Sequence, residues 1–190
     1  MKSTCLGILL GWSILLFSGS LAWAQESSEL QAAPHRLRHT IAFFQGVTFI
    51  PLTRENPLDR EQSMSTVNTY GLNYVYTFNH RWALGGMFDF QQAKYYIEDD
   101  GEILERYKVA VAVLQAYYEP VRGLNFFAGP GLEFESNENF YVLKVGAEYE
   151  LYLANNWWII PEVSYEFKQV YNNYNVGFKI ARSFGRSPHH

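Results

Sequence analysis

The chain has 190 residues, of which 48% are hydrophobic, 17% aromatic and only 18% charged. This length suits a single domain, and so many aromatic residues with so few charges exclude intrinsic disorder. The formal net charge is -4, and the 15 Lys and Arg residues are spread along the chain rather than clustered, which argues against a nucleic-acid-binding face.

The first 24 residues have the features of a cleaved signal peptide. Lys2 precedes an apolar run from Leu6 to Phe17, and Ala22-Trp-Ala24 matches the small-x-small pattern before a cleavage site. We therefore predict a signal peptide over residues 1–24. An uncleaved membrane helix is the alternative, because the apolar stretch approaches the length that spans a bilayer. The only cysteine, Cys5, lies before the apolar core, so we expect the mature chain to have no disulfide and no thiolate chemistry.

A polar leader, residues 25–36, comes next, and the rest of the chain then repeats with a period of two. From Tyr70 to Phe78, one face carries large apolar side chains and the other carries residues such as Gly71 and Asn73. Alternation of this kind predicts amphipathic β-strands. Eight strands are predicted, near residues 38–50, 70–78, 82–91, 106–118, 124–135, 140–152, 157–168 and 173–184.

The predicted connections alternate in length along the chain. Longer ones fall at 51–65, 96–105, 136–139 and 169–172, and shorter ones at 79–81, 119–123 and 153–156. In an antiparallel up-and-down arrangement, the longer loops lie at one end and the tight turns at the other, as in bacterial outer-membrane barrels. We predict a barrel over residues 37–185, with both termini at the turn end and a short tail, 186–190.

Alternation alone does not say which face of the strands lies inside. A soluble binding barrel has an apolar interior, whereas a membrane barrel has an apolar exterior. An eight-stranded barrel encloses only enough space for side chains to fill, and the apolar faces carry too many rings to fit there. Glycines on the other face, such as Gly71, Gly129 and Gly177, suit a narrow lumen. We therefore predict an all-β, eight-stranded antiparallel transmembrane barrel, with a soluble periplasmic lipocalin-like barrel as the alternative.

The last predicted strand carries a motif as well as the alternation. It has a polar residue, a glycine two positions later, alternating apolar residues and an aromatic end, supplied by Asn175, Gly177, Phe178, Ile180 and Phe184. With this motif, the chain resembles the small eight-stranded outer-membrane barrels of the OmpA, OmpX and opacity-protein type. The resemblance implies a monomer in the outer membrane of a Gram-negative bacterium, in contact with lipid and lipopolysaccharide. It also implies that these five residues form the signal read by the barrel-assembly machinery.

The predicted inner face carries charged side chains of both signs. Burying charges is costly unless they pair, so we predict an ion-pair network that plugs the lumen, with Lys179 near Glu162 or Glu166. The alternative is a narrow porin-like channel for small solutes or ions, gated by breaking such pairs. The predicted network comprises Asp89, Lys108, Glu133, Lys144, Glu148, Glu162, Glu166 and Lys179.

The sequence offers no catalytic constellation and no cofactor motif. All five histidines are predicted at the turn end, at positions 35, 39, 80, 189 and 190. A lipid A enzyme or a surface protease would therefore lack a general base near its substrate. Carboxylates two residues apart, such as Glu133 and Glu135, share a face through strand geometry alone and indicate neither glycosidase chemistry nor a metal site. We expect a structural or surface-interacting protein without enzymatic activity, metal or cofactor.

Overall fold

The computed structural model describes residues 36–53, 63–99, 102–135 and 139–187. The predicted signal peptide, the leader up to residue 35 and the last three residues lie outside the described residues. The described strands are β1 (His39–Thr53), β2 (Ser63–Thr77), β3 (Trp82–Asp99), β4 (Glu102–Val121), β5 (Leu124–Phe134), β6 (Phe140–Tyr149), β7 (Leu151–Tyr152), β8 (Trp157–Lys168) and β9 (Asn173–Phe184).

These strands form one closed antiparallel sheet. Strands β1 to β5 each pair with the next strand in sequence, β6 and the short β7 both pair with β8, β8 pairs with β9, and β9 closes the sheet by pairing with β1. His39 accordingly faces Tyr76 on one side and Phe184 on the other. The short β7 continues β6 past a break at Glu150 and pairs with the same strand, β8, so eight strands surround the lumen. The prediction of an eight-stranded antiparallel barrel is confirmed.

Tight turns join the strands at one end, here called the turn end. Asn79 accepts backbone hydrogen bonds from Arg81 and Trp82 at 2.8 and 3.0 Å, which closes the β2–β3 turn. Gly123, Asn155 and Asn156 adopt positive φ angles, the left-handed backbone that Gly and Asn tolerate best. The opposite end of the barrel, here called the loop end, carries the connections after β1, β3, β5 and β8.

The connection between β3 and β4 is much shorter than predicted. The sequence suggested a loop over residues 96–105, but the two strands remain paired until Asp99 faces Glu102. Tyr95 and Ile97 are buried inside, and Lys94 bridges Glu105 at 2.9 Å on the outside. Polar residues at the hairpin tip therefore extend the sheet into solvent rather than ending it.

The exterior of the barrel is apolar. Thirty large hydrophobic side chains of the described chain are exposed, led by Leu114 at 72% and Tyr141 at 70%. On β3, the outward positions are apolar from Trp82 to Phe90, a nine-residue stretch that matches the roughly 9–11 residues of a transmembrane strand. In the described part of the chain, the structure contains no helix with the length and apolar character to cross a membrane.

Glycine is required where β1 meets β9. Gly46 and Gly177 face each other across this ladder, and the Phe44 ring lies over both of them on the lumen side. A Cβ on Gly177 would lie 2.5 Å from the Gln45 carbonyl oxygen and 2.7 Å from the Phe44 ring. These distances are shorter than van der Waals contact. The β1–β9 ladder and the packing of Phe44 in the lumen therefore both require a residue without a Cβ at position 177.

The predicted orientation of β4 is wrong, and Lys108 with it. Lys108 was expected in the lumen but is exposed, whereas Val109, Val111 and Val113 point inward. Between the Gln91–Val109 and Lys94–Tyr107 pairs the register shifts, and Lys108 has a φ of 55°. This bulge turns two consecutive residues, Tyr107 and Lys108, outward and brings Arg106 into the lumen. Both faces of β4 are apolar around this point, so alternation could not distinguish them.

Candidate functional site: the charged lumen

Seven of the eight residues predicted for the ion-pair network lie buried in the lumen, all except Lys108. Ion pairs join six of them directly, and Lys168 connects the seventh, Glu133, through Glu166. Strand alternation points them inward from β3, β5, β6, β8 and β9. The seven are Asp89, Glu133, Lys144, Glu148, Glu162, Glu166 and Lys179.

At the turn end, the leader supplies a cation that closes the lumen. The guanidinium of Arg36 lies 2.7 Å from Glu150 and 3.7 Å from Glu148. Asn125 donates a further hydrogen bond to Glu150 at 2.5 Å. Burial acts to lower the pKa of Arg36, but the neighbouring carboxylates of Glu150 and Glu148 outweigh it and raise that pKa above its ordinary value. Arg36 is therefore a fixed positive charge at this end.

Lys179 occupies the next position along the lumen. Its ammonium lies 2.6 Å from Glu148 and 2.6 Å from Glu162, so the Lys179–Glu162 pair is present. The rings of Tyr117 and Phe127 lie 5.9 and 5.4 Å from the same ammonium, close enough for a cation–π attraction. Two carboxylates and two rings thus surround one lysine at this level.

Lys144 connects the centre of the network. Its ammonium lies 3.0 Å from Asp89, 3.3 Å from Glu166 and 3.8 Å from Glu162. Because Lys144 belongs to β6 and Asp89 to β3, this contact crosses the lumen. The predicted alternative partner of Lys179, Glu166, is instead shared by Lys144 and Lys168, the latter at 3.2 Å.

Glu133 is the acceptor at the centre of the loop-end network. Lys168 reaches it at 2.5 Å, and Arg106 pairs with it and with Glu135, the latter at 3.4 Å. The Arg106 guanidinium also lies over the Phe140 ring, 4.5 Å from its centroid. Five cations and seven carboxylates therefore line the described lumen, namely Arg36, Arg106, Lys144, Lys168 and Lys179 with Asp89, Glu133, Glu135, Glu148, Glu150, Glu162 and Glu166.

Tyr171, from the loop between β8 and β9, covers this loop-end group. Its hydroxyl lies 2.8 and 2.9 Å from the two oxygens of Glu133 and 2.9 Å from the hydroxyl of Tyr95. Burial, followed by the negative charge of Glu133, raises the pKa of Tyr171 well above 10. Tyr171 therefore stays protonated at neutral pH, and its hydroxyl donates to the Glu133 carboxylate.

Apolar side chains fill the lumen beside the loop-end charges. This cluster includes Ile50, Val67, Tyr95, Ile97, Val109, Val111, Val113, Phe140 and Val142. The sequence indicated a polar inner face, and half of that face is polar. The rest is packed hydrocarbon, which leaves charged groups in a low-dielectric environment where only close pairing is tolerated.

The structure places the histidines of the described chain away from the loop end. His39 begins β1 and hydrogen-bonds the hydroxyl of Tyr74 at 2.7 Å, and His80 lies in the β2–β3 turn. Among the described residues, no group of three or more His, Cys, Asp or Glu side chains has the arrangement of a metal site.

Comparison with solved structures identifies the fold. The outer-membrane protein AlkL, determined in DMPC bilayers, is 13% identical over 87% of this chain and 99% of AlkL, with a TM-score of 0.50. This protein has the fold of the small eight-stranded outer-membrane barrels. The attachment invasion locus protein Ail of Yersinia pestis, solved with sucrose octasulfate, is 15% identical over 76% of this chain and 99% of Ail, with a TM-score of 0.44. No protein-family model matches the chain, and no curated protein matches it.

The residues assigned to the assembly motif lie in the closing strand, β9. Asn175 and Gly177 point into the lumen, whereas Phe178, Ile180 and Phe184 are exposed on the apolar exterior. Asn175 donates to Glu166 at 3.1 Å and hydrogen-bonds Thr48. Asn175 therefore also links β9 to the charged lumen.

Proposed function

We propose that this protein is a monomeric outer-membrane barrel of a Gram-negative bacterium with a structural or surface-interacting role. The observation that carries the proposal is the polarity of the closed barrel, with an apolar exterior and a charged, paired interior. A soluble lipocalin-like barrel has the opposite polarity, and so many exposed rings would make it aggregate in water. In lipid, the same exterior needs no further partner.

The filled lumen favours a plug over an open channel. The charged side chains of the lumen are buried, and each of Lys144, Lys168 and Lys179 contacts at least two carboxylates. A solute or ion would have to break several of these close pairs to pass. We therefore favour a non-conducting barrel whose interior supports the loops, and we assign it no catalytic role.

Export and assembly complete the proposal. A signal peptide over residues 1–24 would direct the chain across the inner membrane, and Arg36 would mark the end of the leader, residues 25–36, at the periplasmic mouth. The barrel over residues 37–185 would insert through the barrel-assembly machinery, guided by β9. The short tail, 186–190, would remain periplasmic, and lipopolysaccharide would surround the loop end.

Heat-modifiability and conductance test the proposal on one sample. The mature protein is folded into detergent micelles and run on a gel with and without boiling, and the same preparation is added to planar bilayers. A fast-running unboiled band without channel steps is the expected result. A protein that is soluble without detergent and shows no mobility shift would refute the membrane barrel, whereas steady unitary conductance would replace the plug with the channel.

A further inference from the structure

The apolar exterior has a groove on the face formed by β2 to β6. The groove has a volume of about 760 Å³ and is lined almost entirely by apolar atoms. Gly86 and Ala112 form its floor, and a Cβ added to Gly86 would meet no atom within 4 Å. The walls are long outward side chains, Leu72, Leu114, Leu132 and Tyr141.

The register explains why the groove lies on this face. Gly86 of β3 faces Leu114 of β4, and Ala112 faces Phe88. Small and large outward residues therefore alternate diagonally across the sheet, and the small residues leave the groove between the large ones. A flexible hydrocarbon chain can adapt to such a space and fill it with dispersion contacts. A rigid protein surface could do so only if its shape matched the groove.

Two outward lysines lie on the strands that form the groove, on its loop-end side. Lys108 precedes Ala112 on β4 by four residues, about 13 Å along a strand and toward the loop end. Lys94 of β3 faces Tyr107, and both lysines point outward. The ammonium of Lys108 lies 5.0 Å from the Tyr107 ring, and that of Lys94 lies 5.4 Å from the Tyr96 ring. Tyrosines next to outward lysines mark the boundary between lipid tails and headgroups.

The backbone at Lys108 directs this charge outward. A φ of 55° is unfavourable for a residue with a side chain, and the bulge at this point separates Lys108 from the buried network that its neighbour Arg106 joins. Lys108 makes no ion pair with any described residue, whereas Lys94 is bridged to Glu105. Among the described residues, this cation therefore has no carboxylate partner, and it lies on the loop-end side of the apolar groove on the same strand, β4.

A second exterior groove provides an internal comparison. It has a volume of about 580 Å³, is also mostly apolar, and is formed by β5, β6, β8 and β9 around Ala147 and Val163. Among the described residues at its loop end, no lysine or arginine points outward. Of these two grooves, as the described residues show them, the first alone combines space for a hydrocarbon chain with a positive charge on its loop-end side.

We propose that the first groove and Lys108, assisted by Lys94, bind a phosphorylated, multiply acylated glycolipid of the outer leaflet. An acyl chain would lie in the groove over Gly86 and Ala112, and a headgroup phosphate would lie on the lysines. This inference rests on the proposed insertion into the outer membrane, because the loop end then faces the leaflet that contains such lipids. A second copy of the chain is the competing occupant.

Native mass spectrometry of the folded barrel in micelles tests the site. The probes are bisphosphorylated lipid A, monophosphorylated lipid A and phosphatidylcholine, each titrated against the mature protein. We expect stable one-to-one binding that weakens in the order given. Replacing Lys108→Gln should weaken binding of bisphosphorylated lipid A about fivefold, and adding Lys94→Gln should weaken it further.

Matched variants distinguish the site from general lipid contact. Gly86→Leu fills the first groove and should weaken binding, and Ala112→Leu repeats the test if the first variant fails to fold. Ala147→Leu in the second groove and Arg122→Gln at the turn end should leave binding unchanged.

The unfavourable outcomes distinguish failure of the lipid site from failure of the membrane barrel. Equal binding of phosphatidylcholine, equal losses in the Ala147→Leu control, or a dimer in place of lipid adducts would overturn the lipid site. Each variant is also run unboiled on a gel. A normal mobility shift without lipid preference would refute this inference alone, whereas absence of the shift in the wild-type protein would refute the membrane barrel itself.

Discussion

Replacing Lys144→Met tests whether the central ion pairs hold the barrel together. In the structure, Lys144 contacts Asp89, Glu162 and Glu166. Two of these carboxylates keep another cation after the change, since Glu162 retains Lys179 at 2.6 Å and Glu166 retains Lys168 at 3.2 Å. Asp89 makes no other ion pair with a described residue, so the substitution leaves one buried carboxylate without a cation.

The magnitude follows from that single unpaired charge. Removing one partner of a buried ion pair costs about 3–5 kcal/mol of unfolding free energy. Methionine occupies a similar volume, so packing contributes little to the loss. The double variant Lys144→Met with Asp89→Asn removes the unpaired charge and should recover about 1–3 kcal/mol. The exposed Lys94–Glu105 pair is the control, and Lys94→Met should cost about 1 kcal/mol or less.

Urea unfolding in detergent micelles measures these differences. The folded fraction is read from the fast-running unboiled band and, independently, from tryptophan fluorescence. The expected order of stability is wild type and Lys94→Met, then the double variant, then Lys144→Met. If Lys144→Met unfolds at the same urea concentration as Lys94→Met, the lumen pairs do not stabilise the barrel and the reasoning fails.

Three further changes probe other parts of the structure. Gly177→Ala should destabilise the barrel by about 1–3 kcal/mol by forcing the Phe44 ring and the β1–β9 ladder apart, and a normal urea midpoint would contradict this. Tyr171 has a raised pKa in the folded barrel, so its contribution to stability is complete below about pH 10 and is lost as the pH rises further. Tyr171→Phe should therefore flatten the alkaline part of a pH–stability curve. An unaltered curve would contradict this role of Tyr171. Lys108→Gly should raise stability by about 1 kcal/mol by relieving the positive φ, and a lower urea midpoint would show that the bulge is not strained.

Much of the fold was predictable because the two faces of most strands differ sharply. On β2, β3, β6, β8 and β9, rings and branched side chains alternate with glycine and charged residues. The period of two then fixes both the strand and its orientation. Because every inward charge needs a partner, pairing between Lys179 and Glu162 could be anticipated from strand position alone.

The errors arose where alternation carries no information. On β4, valine alternates with alanine, so both faces are apolar and the alternation does not show which of them faces the lipid. In the structure, Val109, Val111 and Val113 fill the lumen, whereas Ala112 faces outward and lies in the floor of the first groove. Lys108 was misplaced for this reason, and the bulge that brings Arg106 inside has no sequence signature.

Two participants lie outside the strands altogether. Arg36 belongs to the leader, and Tyr171 belongs to the loop between β8 and β9. A strand period says nothing about a leader or loop residue, so neither could be assigned to the lumen. The carboxylates at the two ends of the lumen, Glu148 and Glu150 at the turn end and Glu133 and Glu135 at the loop end, did indicate that further partners were needed. A buried acidic group requires a cation or a hydrogen-bond donor.

The pairs that cross the lumen make closure of the barrel an all-or-none event. Lys144 on β6 meets Asp89 on β3 across two intervening strands, and Lys179 on β9 meets Glu148 on β6 across one, so these partners are brought together only as the sheet curls. An open, half-assembled sheet would expose the same charges to the bilayer without neutralising them. Partly paired sheets are therefore disfavoured in lipid. The strand that completes the sheet also completes the neutralisation of the charges inside it.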